Sequence, residues 1–177
     1  MKFLRSHIIV IVIVLVFVPT AQVLGWITKD NTPHMTYANQ LIGLTEVTNR
    51  NEIKEIIGVD PTQTQWCAAF VNAMLHKTGI AGSESVSKHP LLARSFLDWG
   101  ITIDSPEFGD VMIFKRGNTE WQGHVGFYVG EVEVNGRKFY QILGGNQKYG
   151  INISLYPLHK LIGIKRATKN CCSLKNN

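Results

Sequence analysis

The sequence predicts an α+β fold in which helices come first and an antiparallel sheet follows. In the first half of the chain, apolar residues recur at helical spacing, most clearly over residues 65–77. In the second half, short runs of β-branched and aromatic residues alternate with turns, and Asn135-Gly136 is a strong signal for a tight hairpin. Because the strands are grouped and do not alternate with helices, the pattern disfavours a parallel βαβ arrangement. We expect the sheet to bury one face against the helix at residues 65–77.

Helix signals occur in three segments of the first half. Asn49 and Glu52 form a capping-box pattern at the start of the first segment, and Gly58 marks its end. Thr64 is the expected N-cap of the second segment, which is rich in alanine and apolar residues. The predicted helices span Arg50–Ile57, Gln65–Lys77 and Pro90–Trp99.

Five later segments have the composition of short strands. They are Asp110–Phe114, His124–Val134, Arg137–Leu143, Ile151–Tyr156 and Leu161–Lys165. The short turns between them favour antiparallel pairing of neighbours along the chain.

The N-terminus has the layout of a signal peptide. Lys2 and Arg5 precede an apolar run over Ile8–Val18, and small residues follow, with a suitable cleavage position after Gly25. Counted on through Ile27 the segment reaches about 20 residues, which is roughly the length that spans a bilayer. A cleaved leader and a retained anchor in the inner membrane therefore both remain open.

This pattern divides the chain into four parts and predicts export. The parts are a leader or anchor at residues 1–25, a polar spacer at 26–35, one folded domain at 36–168 and a basic tail at 169–177. We expect a periplasmic or extracellular location, or an anchored form that contacts the membrane through residues 8–27. We also expect the protein to be a monomer.

Charge does not indicate a nucleic-acid partner. Once the first 25 residues are set aside, 16 lysines and arginines stand against 13 acidic residues. Several of these cations cluster near the C-terminus, which is typical of a solvated tail, with a polyanion-binding patch as the alternative. They are Lys165, Arg166, Lys169 and Lys175.

Cys67 is the candidate nucleophile. The other two cysteines, Cys171 and Cys172, are adjacent, so the three cannot all pair within one chain and Cys67 is expected to be free. Near the third position of its helix, a thiolate is stabilised by unpaired backbone amides. A buried structural cysteine is the alternative. The cysteines and histidines lack the short spacing of metal-ligand pairs, so the sequence predicts neither a zinc site nor another cofactor.

His124 and Asn146 are the expected partners of Cys67. His124 begins a predicted strand between two glycines, which allow other groups to approach the backbone. We expect the other histidines, including His34 and His76, to lie at the surface. Asn146 ends the strand that returns beside His124, so its amide is the candidate group that orients the imidazole. An ordinary turn asparagine is the alternative.

Three motifs resemble the CHAP and NlpC-like superfamily of cysteine amidases and peptidases. They are Trp66-Cys67-Ala68-Ala69-Phe70-Val71, the stretch Pro106–Phe114, and Gly123-His124-Val125-Gly126, with Gly144-Gly145-Asn146-Gln147 following in order. The resemblance covers residues 36–166 and is closest to small bacterial and phage CHAP-like proteins. It implies a papain-like α+β fold that cleaves an amide bond in peptidoglycan. Many CHAP domains carry a glutamate where this chain has Gly144.

By this resemblance, the thiolate of Cys67 attacks the amide carbonyl and His124 protonates the leaving amine. The bond is either the one between muramic acid and L-alanine or one in the stem peptide or crossbridge. Gln65 is a candidate oxyanion donor, and Trp66 and Trp121 are candidate walls of the cleft, with packing roles as the alternative for all three. Two other functions stay open: a wall-binding module without catalysis, and an exported effector or phage lysis protein.

Overall fold

Three α-helices precede an antiparallel sheet within residues 32–167, the part of the chain that this computed structural model describes. The helices are α1 (Pro33–Gln40), α2 (Arg50–Ile57) and α3 (Cys67–His76), and short 3₁₀ turns lie at Ser83–Ser85, Ala93–Asp98 and Leu158–Lys160. The strands are β1 (Ile101–Thr102), β2 (Val111–Lys115), β3 (Gly123–Val134), β4 (Arg137–Gln147), β5 (Gly150–Pro157) and β6 (Leu161–Arg166). The predicted α+β fold is confirmed.

The sheet has the strand order β1-β6-β2-β3-β4-β5, and neighbouring strands run antiparallel. At the predicted hairpin, Val134 pairs with Arg137, and Asn135 and Gly136 both have positive φ angles of 51° and 72°. Such angles are required by the hairpin turn that Asn-Gly favours. This turn sets the register that brings the end of β4 back beside the start of β3.

The two faces of the sheet bury different groups. On one face, residues such as Val125, Phe127 and Leu143 pack in the same cluster as the apolar residues of α3. On the other face, Phe114 and Ile142 form a second cluster with partly buried tyrosines. Helix α3 therefore packs on the sheet as expected, and β3 and β4 contribute to both clusters.

Helix α2 has the predicted bounds, whereas α3 is shorter than predicted. Gly58 ends α2 in a left-handed conformation, as its position indicated. Helix α3 begins at Cys67 with Trp66 as its N-cap, so the expectation of a Thr64 cap was wrong, and Cys67 is the first residue of the helix. The predicted third helix at residues 90–99 is instead the 3₁₀ segment Ala93–Asp98.

The folded part starts earlier than predicted. Helix α1 begins at Pro33, and both His34 and Met35 are buried, so the spacer does not extend to residue 35 and His34 is not a surface residue. The Nε2 of His34 lies 2.9 Å from the carbonyl oxygen of Gly109. Between residues 32 and 167, none of the helices combines the length and apolar character needed to cross a membrane. The predicted leader, Cys171, Cys172 and the basic tail lie outside the described residues.

Candidate active site

Cys67 lies where the start of α3 meets the sheet. A side chain at Gly145 on β4 would place its Cβ 2.3 Å from the ring of Trp66 and 2.8 Å from the Cβ of Phe70, so a glycine is needed there for the helix to approach. The backbone N–H groups of Val125 and Ala68 donate hydrogen bonds to the sulfur. Since Val125 directly follows His124, the thiol lies against the strand that carries the imidazole.

The thiol is in its neutral form in this conformation. Only 3% of Cys67 is exposed, and this burial raises the pKa of the thiol. The backbone N–H groups of Val125, Ala68 and Cys67 itself and the positive charge of Arg116 lower the pKa, but burial outweighs them. Burial thus favours the neutral thiol of Cys67 over a thiolate.

His124 is held between aromatic rings on β3. Its Cα pairs with that of Phe114 on β2, so the two side chains share a face of the sheet. The imidazole stacks on Tyr156 with ring centroids 4.9 Å apart and an interplanar angle of 7°, and Tyr156 stacks in turn on Phe114. Only 1% of His124 is exposed, so this packing sets the ring plane.

Gln147 determines which ring nitrogen of His124 carries the proton. Its Nε2 lies within hydrogen-bond distance of the carbonyl oxygens of Ile142, Gly144 and Asn152, at 3.2, 3.2 and 2.5 Å, so it must be the donor side of the amide. Its Oε1 then faces the Nε2 of His124 at 3.1 Å and accepts that proton. The lone pair of the neutral imidazole is consequently on Nδ1, which is buried and has no hydrogen-bond partner within residues 32–167.

Asn146, the predicted orienting group, points elsewhere. Its Nδ2 donates to the Oε1 of Gln65 at 2.8 Å. The reason is a β-bulge: the register with β5 shifts between Gly144 and Gln147, and Asn146 adopts a φ of 57°. One extra residue on β4 reverses the alternation of side chains, so Gln147 takes the place beside the imidazole that regular alternation assigns to Asn146.

The glycine at position 144 makes room for this arrangement. A Cβ there would lie 3.2 Å from the Nε2 of His124 and 3.3 Å from the Cδ of Gln147. Those distances are tight, so the neighbours would have to move to admit a larger side chain. Gly144 is therefore compatible with an intact site in which Gln147 reaches the imidazole.

Burial also keeps His124 neutral. Desolvation of the ring, together with the charge of Arg116, lowers the pKa of His124 to about 3, against the opposing effect of the Gln147 hydrogen bond. At neutral pH the ring is thus an acceptor of protons at Nδ1.

This lowered pKa predicts a specific loss of stability in acid. The unfolded chain binds the proton near pH 6.5 and the folded chain near pH 3, so the free energy of unfolding falls as the pH drops below 6.5. The loss is about 1.4 kcal/mol per pH unit. Between pH 6.5 and 4.5, wild type should therefore lose about 2–3 kcal/mol more than a His124→Gln variant in urea unfolding.

His76→Gln is the matched control for that experiment. His76 is exposed and contacts Glu84, so its loss should leave the steep acid dependence in place. Equal slopes for wild type and His124→Gln would show that His124 is not buried as a neutral ring.

Two compartments flank Cys67. The first is a cleft of about 610 Å³ lined by Cys67 and Trp121, together with apolar residues such as Leu92. The second, of about 490 Å³, is more polar and includes Asn146 and Tyr149 among its walls. Gln65 and Arg116 line both compartments. These two residues therefore lie where the polar compartment adjoins the cleft that contains Cys67.

The two tryptophans predicted to line the cleft differ in their exposure. Trp121 is 62% exposed and lines the cleft, and its contact with a substrate stays a prediction. Trp66 is fully buried, and its Nε1 donates to the Oε2 of Glu46 at 2.9 Å. Trp66 therefore packs in the core and is not a wall of the cleft, which corrects the sequence-based expectation.

Sequence reasoning missed three residues of this site: Arg116, Gln147 and Tyr156. Gln147 stood inside the Gly-Gly-Asn-Gln motif, and the preference of asparagine for positive φ was a signal that a bulge precedes it. Arg116 follows β2 directly, which places it next to His124 once the strands pair. Tyr156 gave no separate signal, because aromatic residues are common in strands.

These features define a class of protein. A thiol at the first residue of a helix, next to a strand whose buried histidine has its Nδ1 lone pair free, is typical of cysteine hydrolases with an α+β fold. The comparison with known families agrees. Residues 59–146 match the CHAP domain, and the chain belongs to the CHAP domain family. The match includes Cys67, His124 and Asn146 and ends one residue before Gln147.

The CHAP domain implies an amidase or peptidase activity like that of peptidoglycan hydrolases. No curated protein sequence matches the chain, and no solved structure matches it either. Within residues 32–167, no three His, Cys, Asp or Glu side chains are grouped as metal ligands.

Proposed function

We propose that the domain hydrolyses an amide bond of peptidoglycan through a thioester on Cys67, with His124 as the general base. The observation that carries this proposal is the fixed tautomer of His124: Gln147 holds Nε2–H and leaves the lone pair on Nδ1. The sulfur that this base serves accepts the N–H of the next residue, Val125. A purely structural histidine in a core has both nitrogens satisfied in most cases.

The first chemical step needs only these two side chains. The Sγ–H proton passes to Nδ1 of His124 as the sulfur forms a bond to the amide carbonyl carbon. The carbonyl oxygen becomes an oxyanion. Because Cys67 is the first residue of α3, its backbone N–H is one of the four that a helix leaves without an internal acceptor, and it is suited to bind that oxygen.

Gln65 supplies a second oxyanion donor. Its Oε1 accepts from Asn146, so its Nε2 remains the donor side of the amide, and Gln65 lines the cleft that contains Cys67. Asn146 thus acts through Gln65 as a positioning residue, and not through His124. The role is different from the one expected from the sequence, but it keeps Asn146 within the site.

The second half of the reaction regenerates the enzyme. His124 returns its proton to the leaving nitrogen, the C–N bond breaks, and the acyl group remains on Cys67 as a thioester. Water then attacks the thioester carbonyl while Nδ1 of His124 takes a proton from it. The C–S bond breaks, the sulfur regains the proton, and a carboxylic acid leaves.

The substrate lies outside the cytoplasm, so we also propose that the protein is exported. The basic start and apolar run of residues 1–25 support export, either with cleavage or with retention as an anchor in the inner membrane. An exported effector or a phage lysis protein would use the same site on the same polymer.

One observation favours a second function, a wall-binding module without turnover. Both reacting groups are nearly covered, with 3% of Cys67 and 1% of His124 exposed. A domain that had kept the fold for binding alone would tolerate such a closed site. The hydrolase explains one observation that the binding module does not, namely the fixed tautomer of His124, because binding alone does not require it.

Digestion of purified peptidoglycan distinguishes the two. We expect wild type to release soluble fragments whose masses and new termini identify the cleaved amide bond, and Cys67→Ser to release none above background. A sedimentation assay with the same polymer should show that Cys67→Ser still binds. If both proteins bind and neither releases fragments, the binding module is the correct function.

A further inference from the structure

Arg116 is placed at the centre of the site by the sheet. It follows Lys115, the last residue of β2, which pairs with Gly123 at the start of β3. The alternation of side chains puts Arg116 on the same face as Phe114, and therefore on the face of His124. Its guanidinium lines both compartments beside Cys67.

This guanidinium has no hydrogen-bond or ion-pair partner within residues 32–167. Arg50 pairs with Asp60, Arg94 donates to the carbonyl of Gln122, and Arg166 pairs with Asp110. Arg137 at the exposed β3–β4 hairpin also has no such partner within residues 32–167, but it lines neither compartment. An arginine prefers a planar, two-oxygen acceptor that accepts two parallel hydrogen bonds. Arg116 differs from Arg137 in that it lies between two compartments, one of which contains Cys67, so it is placed to bind a group of the substrate.

The charge of Arg116 also acts on the reacting groups. It lowers the pKa of Cys67, His124 and Tyr156, in each case against or together with the larger effect of burial. The positive charge therefore lies close to the bond-breaking centre. Because Arg116 and Cys67 line the same cleft, a group bound to Arg116 would lie on the same substrate segment as the scissile bond.

We propose that Arg116 binds a carboxylate of the substrate that neighbours the scissile amide, so that the site selects an acidic stem peptide. This inference rests on the proposed function and names the substrate class for the same site. Lys148 and Glu46 also line the polar compartment, and their opposite charges offset each other, so a net charge of about +1 remains with Arg116. This charge fits a single carboxylate better than a larger polyanion. The part of the substrate on the other side of the scissile bond, which is uncharged, then lies in the apolar cleft with Trp121.

Binding measurements test this without turnover. Two stem peptides that differ only in a free carboxylate or a carboxamide next to the scissile amide are titrated calorimetrically into Cys67→Ser protein. We expect the carboxylate peptide to bind at least about tenfold more tightly. Adding Arg116→Gln should remove that preference, Arg116→Lys should retain part of it, and added salt should reduce it.

Arg137→Gln in the same Cys67→Ser protein is the matched control. Arg137 is exposed at the β3–β4 hairpin, so its loss removes one positive charge at a distance and should leave the preference intact. Equal affinity for the two peptides, or a preference that survives Arg116→Gln, overturns the proposal. A preference that depends on Arg116 in a protein that cleaves neither peptide would sustain the carboxylate site and overturn only the proposed hydrolysis.

Turnover separates substrate binding from a general electrostatic role. If Arg116 binds the carboxylate, Arg116→Gln in active protein lowers kcat/KM for the carboxylate peptide at least about tenfold more than for the carboxamide peptide. If Arg116 only stabilises the thiolate, both substrates lose kcat equally, and alkylation of Cys67 by iodoacetamide slows as well. That second pattern contradicts the proposal.

Discussion

Replacing His124 by glutamine is expected to lower kcat by about 10³-fold or more. The reason is that Cys67 is a neutral thiol in its buried position, so attack requires a nearby acceptor for its proton. The lone pair on Nδ1 of His124 is that acceptor, and a glutamine side chain has no comparable base. The measurement is the initial rate of fragment release from peptidoglycan under saturating substrate.

The kcat of His76→Gln is the control. It removes an imidazole from the exposed end of α3 and should leave kcat within about twofold of wild type. Far-UV circular dichroism and the melting temperature of His124→Gln show whether the fold persists. A folded His124→Gln variant with near wild-type kcat would exclude this histidine as the base.

Replacing Gln147 by leucine has the second largest expected effect, a loss of about 10²-fold in kcat. Leucine cannot accept the proton of Nε2 of His124, so the tautomer with its lone pair on Nδ1 is no longer selected. It also leaves three backbone carbonyls without the donor that Gln147 provides, which should lower the free energy of unfolding by about 2–4 kcal/mol. Kinetics and urea unfolding measure the two losses separately.

Nitrogen NMR of the imidazole distinguishes a positioning role from a merely structural one. With ¹⁵N-labelled histidine, wild type should show His124 protonated at Nε2 only, whereas Gln147→Leu should show a mixture of tautomers. Asn146→Ala is the matched comparison, because its amide contacts Gln65 and not the ring. It should lower kcat by about tenfold through the oxyanion donor and leave the tautomer unchanged. If the tautomer shifted in Asn146→Ala but not in Gln147→Leu, then Asn146 and not Gln147 would be the residue that orients His124.

The sequence predicted the elements whose signals are local. Helix α2 has the expected bounds because its capping pattern, its apolar spacing and its terminal Gly58 all agree. The β3–β4 hairpin was predictable for a similar reason, since Asn135 and Gly136 tolerate the positive φ that the turn requires. The position of Cys67 as a free thiol at a helix start was predictable from its apolar, alanine-rich helix, whereas its role as nucleophile stays a prediction.

The identity of the group that orients His124 was not predictable from alternation alone. A regular strand places Asn146 beside the ring, and a single bulge moves Gln147 there. This bulge depends on the pairing of β4 with β5, so the local sequence of β4 is only a weak predictor of it. The family resemblance added the expectation of a glutamate at position 144, which this chain does not have.

Burial was the other property that the sequence left open. Trp66 precedes the nucleophile and is aromatic, which suggested a wall of the cleft, but the close approach of α3 to Gly145 encloses it in the core. Arg116 was overlooked because a single arginine after a strand is common on protein surfaces. Its position became informative only when strand pairing placed it between two compartments beside Cys67.

The most direct test of the central claim is the mass of the acyl-enzyme. Wild-type protein is mixed with peptidoglycan fragments, quenched in acid within the first turnover and digested, and the peptide that contains Cys67 is analysed by mass spectrometry. We predict an adduct on Cys67 equal in mass to the acyl half of the cleaved substrate, removed by hydroxylamine and absent from Cys67→Ser. Cleavage of the substrate by wild type with no adduct on Cys67, and equal cleavage by Cys67→Ser, would contradict the account.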